Sequence, residues 1–488
     1  MTLRTVTDIR PRDVVHEAGA LLGAGYRLAL VSAHEQARGL EVVYLFTAAA
    51  PDRRTELRLL LPLERPAVDS LAGLSFPAGR FEREMRDLYG ITPLGHPMPR
   101  RLVRHHHWPR GWYPMRAQTG PPPAFGDPEG PFPFVTVEGP AVYEIPVGPV
   151  HAGLIEPGHF RFSVVGESII KLKARLWFVH RGLEKLFQGR DPADGLPLAE
   201  RVSGDTSLGH ALAFCLAVEE ATGLEVNPAA HAGRAMLLEL ERLYNHVTDL
   251  GALCNDVAHS ILNAQAGRVR EQLLRINAEV TGHRLLRGAV TIGGVRLRAL
   301  PDPGRLRAIG ADIAEIAALA QGHSVIADRF TGTGILPARA ARDLGTLGYV
   351  ARASGLDVDA RRDHPTLDLG PFSPVVQTDG DVLARFQVRV REIAASIELI
   401  ARLAEGTAAG VDPSSGPRGT GVGIVEGWRG TILHRIELDS GGALRRVKIV
   451  DPSFFNWPAL PVALSGAIVP DFPLVNKSFN LSYAGNDL

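Results

Sequence analysis

The chain has 488 residues, 45% of them hydrophobic, enough for two or three domains of ordinary size. Its 53 basic and 53 acidic residues cancel, so no global charge favours a nucleic-acid partner. Two cysteines without C-x-x-C spacing, Cys215 and Cys254, exclude a cysteine-held cluster in this chain and a disulfide framework, and read as buried thiols in a reducing compartment.

The N-terminal stretch MTLRTVTDIRPRD lacks the apolar segment of a signal peptide. No uninterrupted apolar run of about 18 residues is present to span a membrane. Residues 1–107 read as a small α/β domain. VVHEAGALLGAGY is an amphipathic helix, while YRLALVSAHE, LEVVYLFTAA and TELRLLLPL are strand-like. FEREMRDLYG is a short charged helix closed by Gly90. Residues 108–140, rich in Pro and Gly, read as a polyproline-like linker with no core of its own.

Residues 141–488 open with a strand pair, EIPVGPVHAG and HFRFSVVGES. Helical segments follow: LPLAERVSGDTSLGHALAFCLAVEEATG, then HAGRAMLLELERLYNHVTDLGALCNDVAHSILNA, then AGRVREQLLRINAEVTG. In the second, Leu237, Leu240, Leu243, Val247 and Leu250 recur at helical spacing. A further helix runs through VLARFQVRVREIAASIELIARLAEG, and TGVGIVEGWRGTILHRIELD and LRRVKIVDPSF alternate as strands. The class is α+β, a small α/β domain followed by a mainly helical one with β appendages.

Several motifs bear on chemistry. TGTG (331–334) and GTGVG (419–423) lack the dinucleotide fingerprint and read as loops or bulges. His105, His106 and His107 are adjacent, cannot easily converge on one ion, and read as a basic, partly solvated arm. EPGHFR sets Glu156, His159 and Arg161 at a strand entry, either a proton-relaying group or a turn held by salt bridges. RASGLDVDARRDHP gathers Asp357, Asp359, Asp363 and His364 in a loop, either a solvated charge run or the lining of a proton or ion path.

FEREMRDLYGITPLGHPMPRRL resembles the signature of the C subunit of bacterial complex I. VGPVHAGLIEPGHFRFSVVGESI, FVHRGLEKL, MLLELERLYNHVTDLGALC, RASGLDVDARRDHP, VEGWRG and IVDPSFFNWPAL resemble, in order, the complex I D subunit. They resemble more closely the large subunit of formate-hydrogenlyase-type nickel–iron hydrogenases, which carries the same fusion. The fold expected from this resemblance is a C-subunit-like domain, the linker, and a hydrogenase-large-subunit-like domain.

In hydrogenases of this kind two C-x-x-C pairs hold nickel and iron. The resemblance puts those positions at Ser203, Thr206, Ser482 and Gly485, so all four thiolates are missing. Nickel is held there by soft, deprotonated thiolates, whereas Ser and Thr offer hard hydroxyls and Gly nothing. No metal is therefore expected, a residual oxygen site at Asp205 or Asp487 being the weaker alternative. The tyrosine that holds a quinone head group in complex I falls at Gly204, and its histidine has no unambiguous match, His151 and His159 lying nearby. Ser203 or Asp205 is expected to cap the following helix.

The resemblance implies a peripheral-arm subunit of a membrane-bound, complex-I-like oxidoreductase that couples electron transfer to proton or ion movement. A non-catalytic scaffold and a quinone-reducing subunit are the alternatives. Glu156, His159, Asp363 and His364 are the residues expected on a proton path. No cofactor is expected in this chain: a partner small subunit resembling the complex I B subunit would hold a 4Fe–4S cluster beside antiporter-like membrane subunits, and a quinone is the acceptor implied by the complex I side. The place implied is the cytoplasmic face of a bacterial inner membrane. Relatives carrying nickel commonly have a C-terminal extension removed after metal insertion, and here the chain stops at the motif.

Overall fold

The apolar alternation between residues 27 and 61 becomes the centre of a four-stranded sheet in the computed structural model, which describes residues 3–49, 51–117, 119–124, 130–152, 155–367, 369–407, 410–411 and 419–488. Its strands Arg27–Gln36, Gly39–Ala48 and Arg53–Leu61 form an antiparallel meander. A further strand, Leu3–Asp8, adds in parallel along Arg53–Leu61. That strand has too few apolar residues to announce itself. The helix Phe76–Tyr89 begins five residues before the charged run that signals it, with Pro at its start and Gly90 closing it at a φ of 75°.

Four long helices build the larger part: Pro228–Asp256, Ser260–Thr281, Pro303–Gly322 and Val382–Glu405. Two segments expected as continuous helices are broken. The first splits into Pro192–Ala199 and Ser207–Thr222, with a turn over residues 200–206. The second stops at Asp256 and restarts at Ser260. In both, polar side chains offer the backbone a hydrogen-bonding alternative to the helix.

The helix Ser207–Thr222 lies on a sheet of strands Thr420–Gly427, Gly430–Leu438 and Leu444–Val450. The glycines of GTGVG serve this contact. A Cβ on Gly421 would come 1.9 Å from the carbonyl oxygen of Ala217, and one on Gly423 would come 1.9 Å from that of Ala213. The motif is a close helix–strand approach and binds no nucleotide phosphate by itself.

The described part of the linker is held more firmly than its composition suggests. Pro-rich backbone leaves carbonyls without internal partners, and guanidinium groups take them. Arg100 donates to Pro133 at 2.7 Å and Arg101 to Gly130 at 2.8 Å, while Arg83 donates to the carbonyls of Arg100 and Arg101. The N-terminal region and the helical part also share one continuous hydrophobic core. Phe81 stacks on Phe454 with ring centres 4.5 Å apart, Arg435 pairs with Glu56 at 3.0 Å, and Arg54 donates to the Val422 carbonyl at 2.7 Å. The linker thus divides the chain but not its packing.

No helix among the described residues is long and apolar enough to cross a membrane. Because nothing on the helix side can retreat from a methyl group at 1.9 Å, Gly423→Ala is expected to cost at least about 3 kcal/mol by overpacking, read as a lower thermal midpoint. An Ala substitution at solvent-facing Gly267 serves as the control.

Candidate functional site

The break at 200–206, the turn joining strands Thr420–Gly427 and Gly430–Leu438, and the last residues of the chain meet at one point. At its centre Asp205 and Arg429 form a two-bonded ion pair, with Nη1–Oδ1 and Nη2–Oδ2 both at 2.6 Å. Arg429 also donates to the Asn480 carbonyl at 2.6 Å and to the Thr206 hydroxyl at 3.2 Å, and stacks 3.9 Å over the Trp428 ring. Burial alone would raise the Asp205 carboxyl, but the Arg429 charge and its hydrogen bonds outweigh it and hold the group below the usual carboxylate range.

Hydroxyls complete the cluster. Ser203 Oγ and Ser482 Oγ are 2.8 Å apart, and Ser203 and Thr206 each donate to Asp205 Oδ1 at 3.0 Å. The Gly485 amide donates to Ser482 Oγ at 2.8 Å. The Trp428 indole donates to Thr206, and the Tyr244 hydroxyl and Asn245 amide hold the Asp205 carbonyl. So the four positions singled out by the resemblance, two near residue 200 and two at the end of the chain, converge. The expected cap by Ser203 or Asp205 is not what starts the helix Ser207–Thr222. Glu241, reaching across from a neighbouring helix, accepts the Leu208 and Gly209 amides at 2.7 and 3.0 Å, and burial pushes its carboxyl up to about 8.

Beside the ion pair opens a cavity of about 570 Å³. Ser203, Gly204, Asp205, Arg429 and Ser482 line its floor, and His151, Ile155 and Glu156 its loop side. Phe160, Phe472 and Tyr483 give it apolar faces, and Asp256, Asn476, Lys477 and Asn480 complete the wall. Glu156 accepts the Ala484 amide at 3.0 Å, and His151 donates through Nε2 to the Gly158 carbonyl at 2.7 Å. The Tyr483 hydroxyl is buried without a well-formed hydrogen bond, and burial raises it to about 12, so it stays protonated.

The other expected path residues lie elsewhere. His159, on the strand His159–Val165, donates through Nδ1 to the Gly148 carbonyl at 3.3 Å and does not line the cavity. Asp363 accepts the Asp359 amide and pairs with Arg362 at 2.8 Å. His364 bonds Asp52 of the N-terminal sheet at 2.8 Å and faces a narrow cleft of about 40 Å³. Of the four, only Glu156 therefore reaches the cavity. The separation has a physical reason: Asp357 and Arg362 of RASGLDVDARRDHP face solvent, while Arg352, Asp359 and Arg361 are tied into buried pairs. Arg352 pairs inside it with Glu392 at 2.6 Å and Glu426 at 2.8 Å, and Arg361 with Asp359 at 2.6 Å and Glu239 at 3.1 Å, all buried or nearly so. Buried charges of this kind persist only when paired.

Asp487 is also off the cavity, accepting the Val179 amide at 3.2 Å, with burial raising its carboxyl to about 6. His105 departs from the basic-arm reading. It donates to the Trp177 carbonyl at 2.9 Å, packs on Phe178, and burial lowers it to about 4, so it is neutral while His106 and His107 face solvent. Cys215 and Cys254 are buried, and burial raises both thiols, Cys254 to about 12.

Sequence reasoning missed Arg429, Trp428, Tyr483, Asp256 and Lys477 as site residues. Arg429 left one signal: in VEGWRG it sits at a strand turn with no acidic residue at salt-bridge spacing beyond Glu426, so its partner had to be distant.

Comparison with known proteins is consistent with this geometry. Residues 8–122 match the family described as respiratory-chain NADH dehydrogenase, 30 Kd subunit, and residues 256–414 that of its 49 Kd subunit. Residues 181–256, which carry the 200–206 turn, match nickel-dependent hydrogenase. Hydrogenase-4 component G of Escherichia coli (strain K12) is 34% identical over 428 residues, covering 83% of this chain and 73% of that protein. The fused C/D subunit of the NADH-quinone oxidoreductase of Bacteroides thetaiotaomicron is 30% identical over 404 residues, covering 76% and 75%. A chain of the membrane-bound sulfane sulfur reductase, an archaeal respiratory membrane complex, superposes with a TM-score of 0.66 at 25% identity, covering 71% of this chain and 99% of that one.

The residues present do not fit a thiolate-held nickel–iron centre. Three of the four positions offer hydroxyls that are already bonded to one another or to Asp205, and the fourth offers no side chain. The ion pair itself can be tested through pH. A carboxyl whose folded pKa is depressed stabilises the fold above its ordinary value of about 4 and loses that contribution as pH falls through the folded value. Asp205→Asn is expected to cost about 2–4 kcal/mol at neutral pH. This is less than for a sealed pair, because the carboxylate is 40% exposed to the cavity while Arg429 is 4% exposed. The variant should also flatten the acid limb of the stability curve, measured by denaturant unfolding between pH 3 and 7.

Proposed function

Since the chain belongs to the family that takes in the 30 and 49 Kd subunits of respiratory-chain NADH dehydrogenase and the nickel-dependent hydrogenases, we propose that it is the large peripheral subunit of a membrane-bound oxidoreductase complex, one that works without a nickel–iron centre. Its cavity is the place where an electron acceptor binds and where the reaction is linked to proton or ion movement through membrane partners. A small subunit with a 4Fe–4S cluster supplies the electrons, and antiporter-like subunits carry the ion, on the cytoplasmic side of the membrane.

The observation that carries this reading is the open, water-accessible cavity at the point where the two motif segments converge. Its volume of about 570 Å³ and its mix of polar groups and aromatic faces are those of a small-molecule binding site. Within the cavity the chain's own groups have separable tasks. Arg429, committed to Asp205, fixes the floor. Tyr483, a protonated donor without a firm partner, and Asn476 beside it orient a bound molecule by hydrogen bonds. Glu156 stands at the wall, and Asp487 behind it titrates near neutral pH, its carboxyl raised by burial with the Glu156 charge adding to the shift. Together they form a two-carboxyl exit for protons. The apolar faces of Phe160, Phe472 and Tyr483 suit a planar acceptor such as a quinone, which is the more specific form of the proposal.

Two measurements test the reading. Affinity isolation of the tagged chain from gently solubilised membranes should recover an iron–sulfur subunit and antiporter-like proteins. Recovery of the chain alone would sink the assembly claim. In the isolated complex, Glu156→Gln should slow turnover or ion transport at least about a hundredfold, the lower end of what one proton-transfer group contributes, with the set of bound partners unchanged. Unaltered turnover and transport would leave the scaffold reading standing.

A further inference from the structure

Gly485 has no room for a side chain. A Cβ placed on it would lie 2.5 Å from Cγ of Asp451 and 2.6 and 2.9 Å from its two carboxylate oxygens. That carboxylate cannot swing aside, because it is held from two directions. Oδ1 accepts the Ser453 amide at 2.7 Å, capping the short helix Pro452–Asn456. Oδ2 accepts from His210 Nε2 at 3.0 Å, and both side chains are wholly buried. His210 is fixed in turn by a 3.0 Å contact from Nδ1 to His434 Nε2. The His210 hydrogen bond and the nearby Arg429 charge outweigh burial and hold the Asp451 carboxyl below its ordinary range.

The same stretch meets the rest of the site. Ser453 Oγ accepts the Ser482 amide at 3.0 Å, and Ser482 bonds both Ser203 and the Gly485 amide. Asp451 and Gly485 are therefore complementary parts of one joint between the end of the strand Leu444–Val450 and the residues after Ser482.

We propose that the Asp451 carboxylate occupies the space a side chain at position 485 would need, so that the four-position centre has been rebuilt as a metal-free clasp. In it Asp205, Arg429 and Asp451 supply the charges, the Ser203–Ser482 hydrogen bond joins residues 203–210 to residues 482–487, and Thr206 ties Asp205 to Arg429. Restoring thiols at the four positions alone will not restore a metal site, because one of the four cannot be accommodated beside Asp451. This goes beyond the proposed role in a complex and is independent of it, since every readout below uses the isolated full chain.

A thermal-unfolding cycle tests the joint. Gly485→Ala is expected to lower the midpoint clearly, and the same change made in an Asp451→Ala background to lower it by less than half as much. Equal shifts in the two backgrounds overturn the proposal. If Gly485→Ala gives no folded chain, recovery of folded protein by adding Asp451→Ala supports the proposal and failure to recover it counts against it. A metal readout, using cobalt(II) as the probe, separates this joint from ordinary packing. The variant Ser203→Cys, Thr206→Cys, Ser482→Cys, Gly485→Cys should show no stoichiometric four-thiolate cobalt absorption, and adding Asp451→Ala should strengthen cobalt binding at least tenfold. Stoichiometric four-thiolate binding with Asp451 intact overturns the proposal.

Discussion

The rest of the site hangs on one interaction, the two-bonded pair between Asp205 and Arg429. It joins three stretches that local structure alone would leave apart: the turn ahead of the helix Ser207–Thr222, the hairpin turn of VEGWRG, and the segment after Asn480. A guanidinium can do this because its donors lie in a plane and point in fixed directions, so one group serves a carboxylate, a hydroxyl and a carbonyl at once. Arg429 is nearly sealed from solvent while Asp205 faces the cavity. The cost of burial therefore falls mainly on the cation, and the Trp428 face and the Asn480 carbonyl offset part of it.

A second layer of constraint keeps that pair in place. Gly421 and Gly423 let the helix Ser207–Thr222 settle directly onto strand Thr420–Gly427, which fixes the distance between the 200–206 turn and the VEGWRG turn. Glu241 then takes the amides at the start of that helix, satisfying backbone donors that have no partner within it. Behind the hairpin, Glu426 pairs with Arg352 and accepts the Ala360 amide. The same tight turn is thus tied on one side to a buried ion network and on the other to the cavity floor. His364 continues this chain of contacts to Asp52 in the N-terminal sheet, which is why it belongs to the packing of the two regions and not to the cavity wall.

How much of this could be read beforehand depended on whether the signal was local. The amphipathic helices and the strand meander followed from apolar periodicity, because burial on one face is imprinted on neighbouring residues. The convergence of Ser203 and Ser482 came from motif resemblance, not from physics that a single sequence displays. What stayed hidden were pairings between distant segments. Nothing near Arg429 names Asp205, nothing near Asp451 names His210, and the strand Leu3–Asp8 draws its place from a partner some 50 residues on. The four residues expected on a proton path do not share one site for the same reason. Glu156 and His159 are three residues apart, yet the strand entry turns one toward the cavity and the other away. Asp363 and His364 carry the right chemistry but are committed to Arg362 and Asp52.

An ion pair and a metal centre can occupy comparable places in a fold without being interchangeable in function. Both crosslink distant segments and both set the local charge, so a clasp of Asp205, Arg429 and Asp451 can preserve the architecture around the cavity. A metal, however, changes its charge when it gains an electron, and a paired guanidinium does not. Behind the wall of this site, burial raises the Asp487 carboxyl to about 6. On the proposed function, electrons arrive on and leave from whatever occupies the cavity, while the chain contributes position and protons. On that reading the clasp needs no space of its own, and the cavity beside it serves a guest.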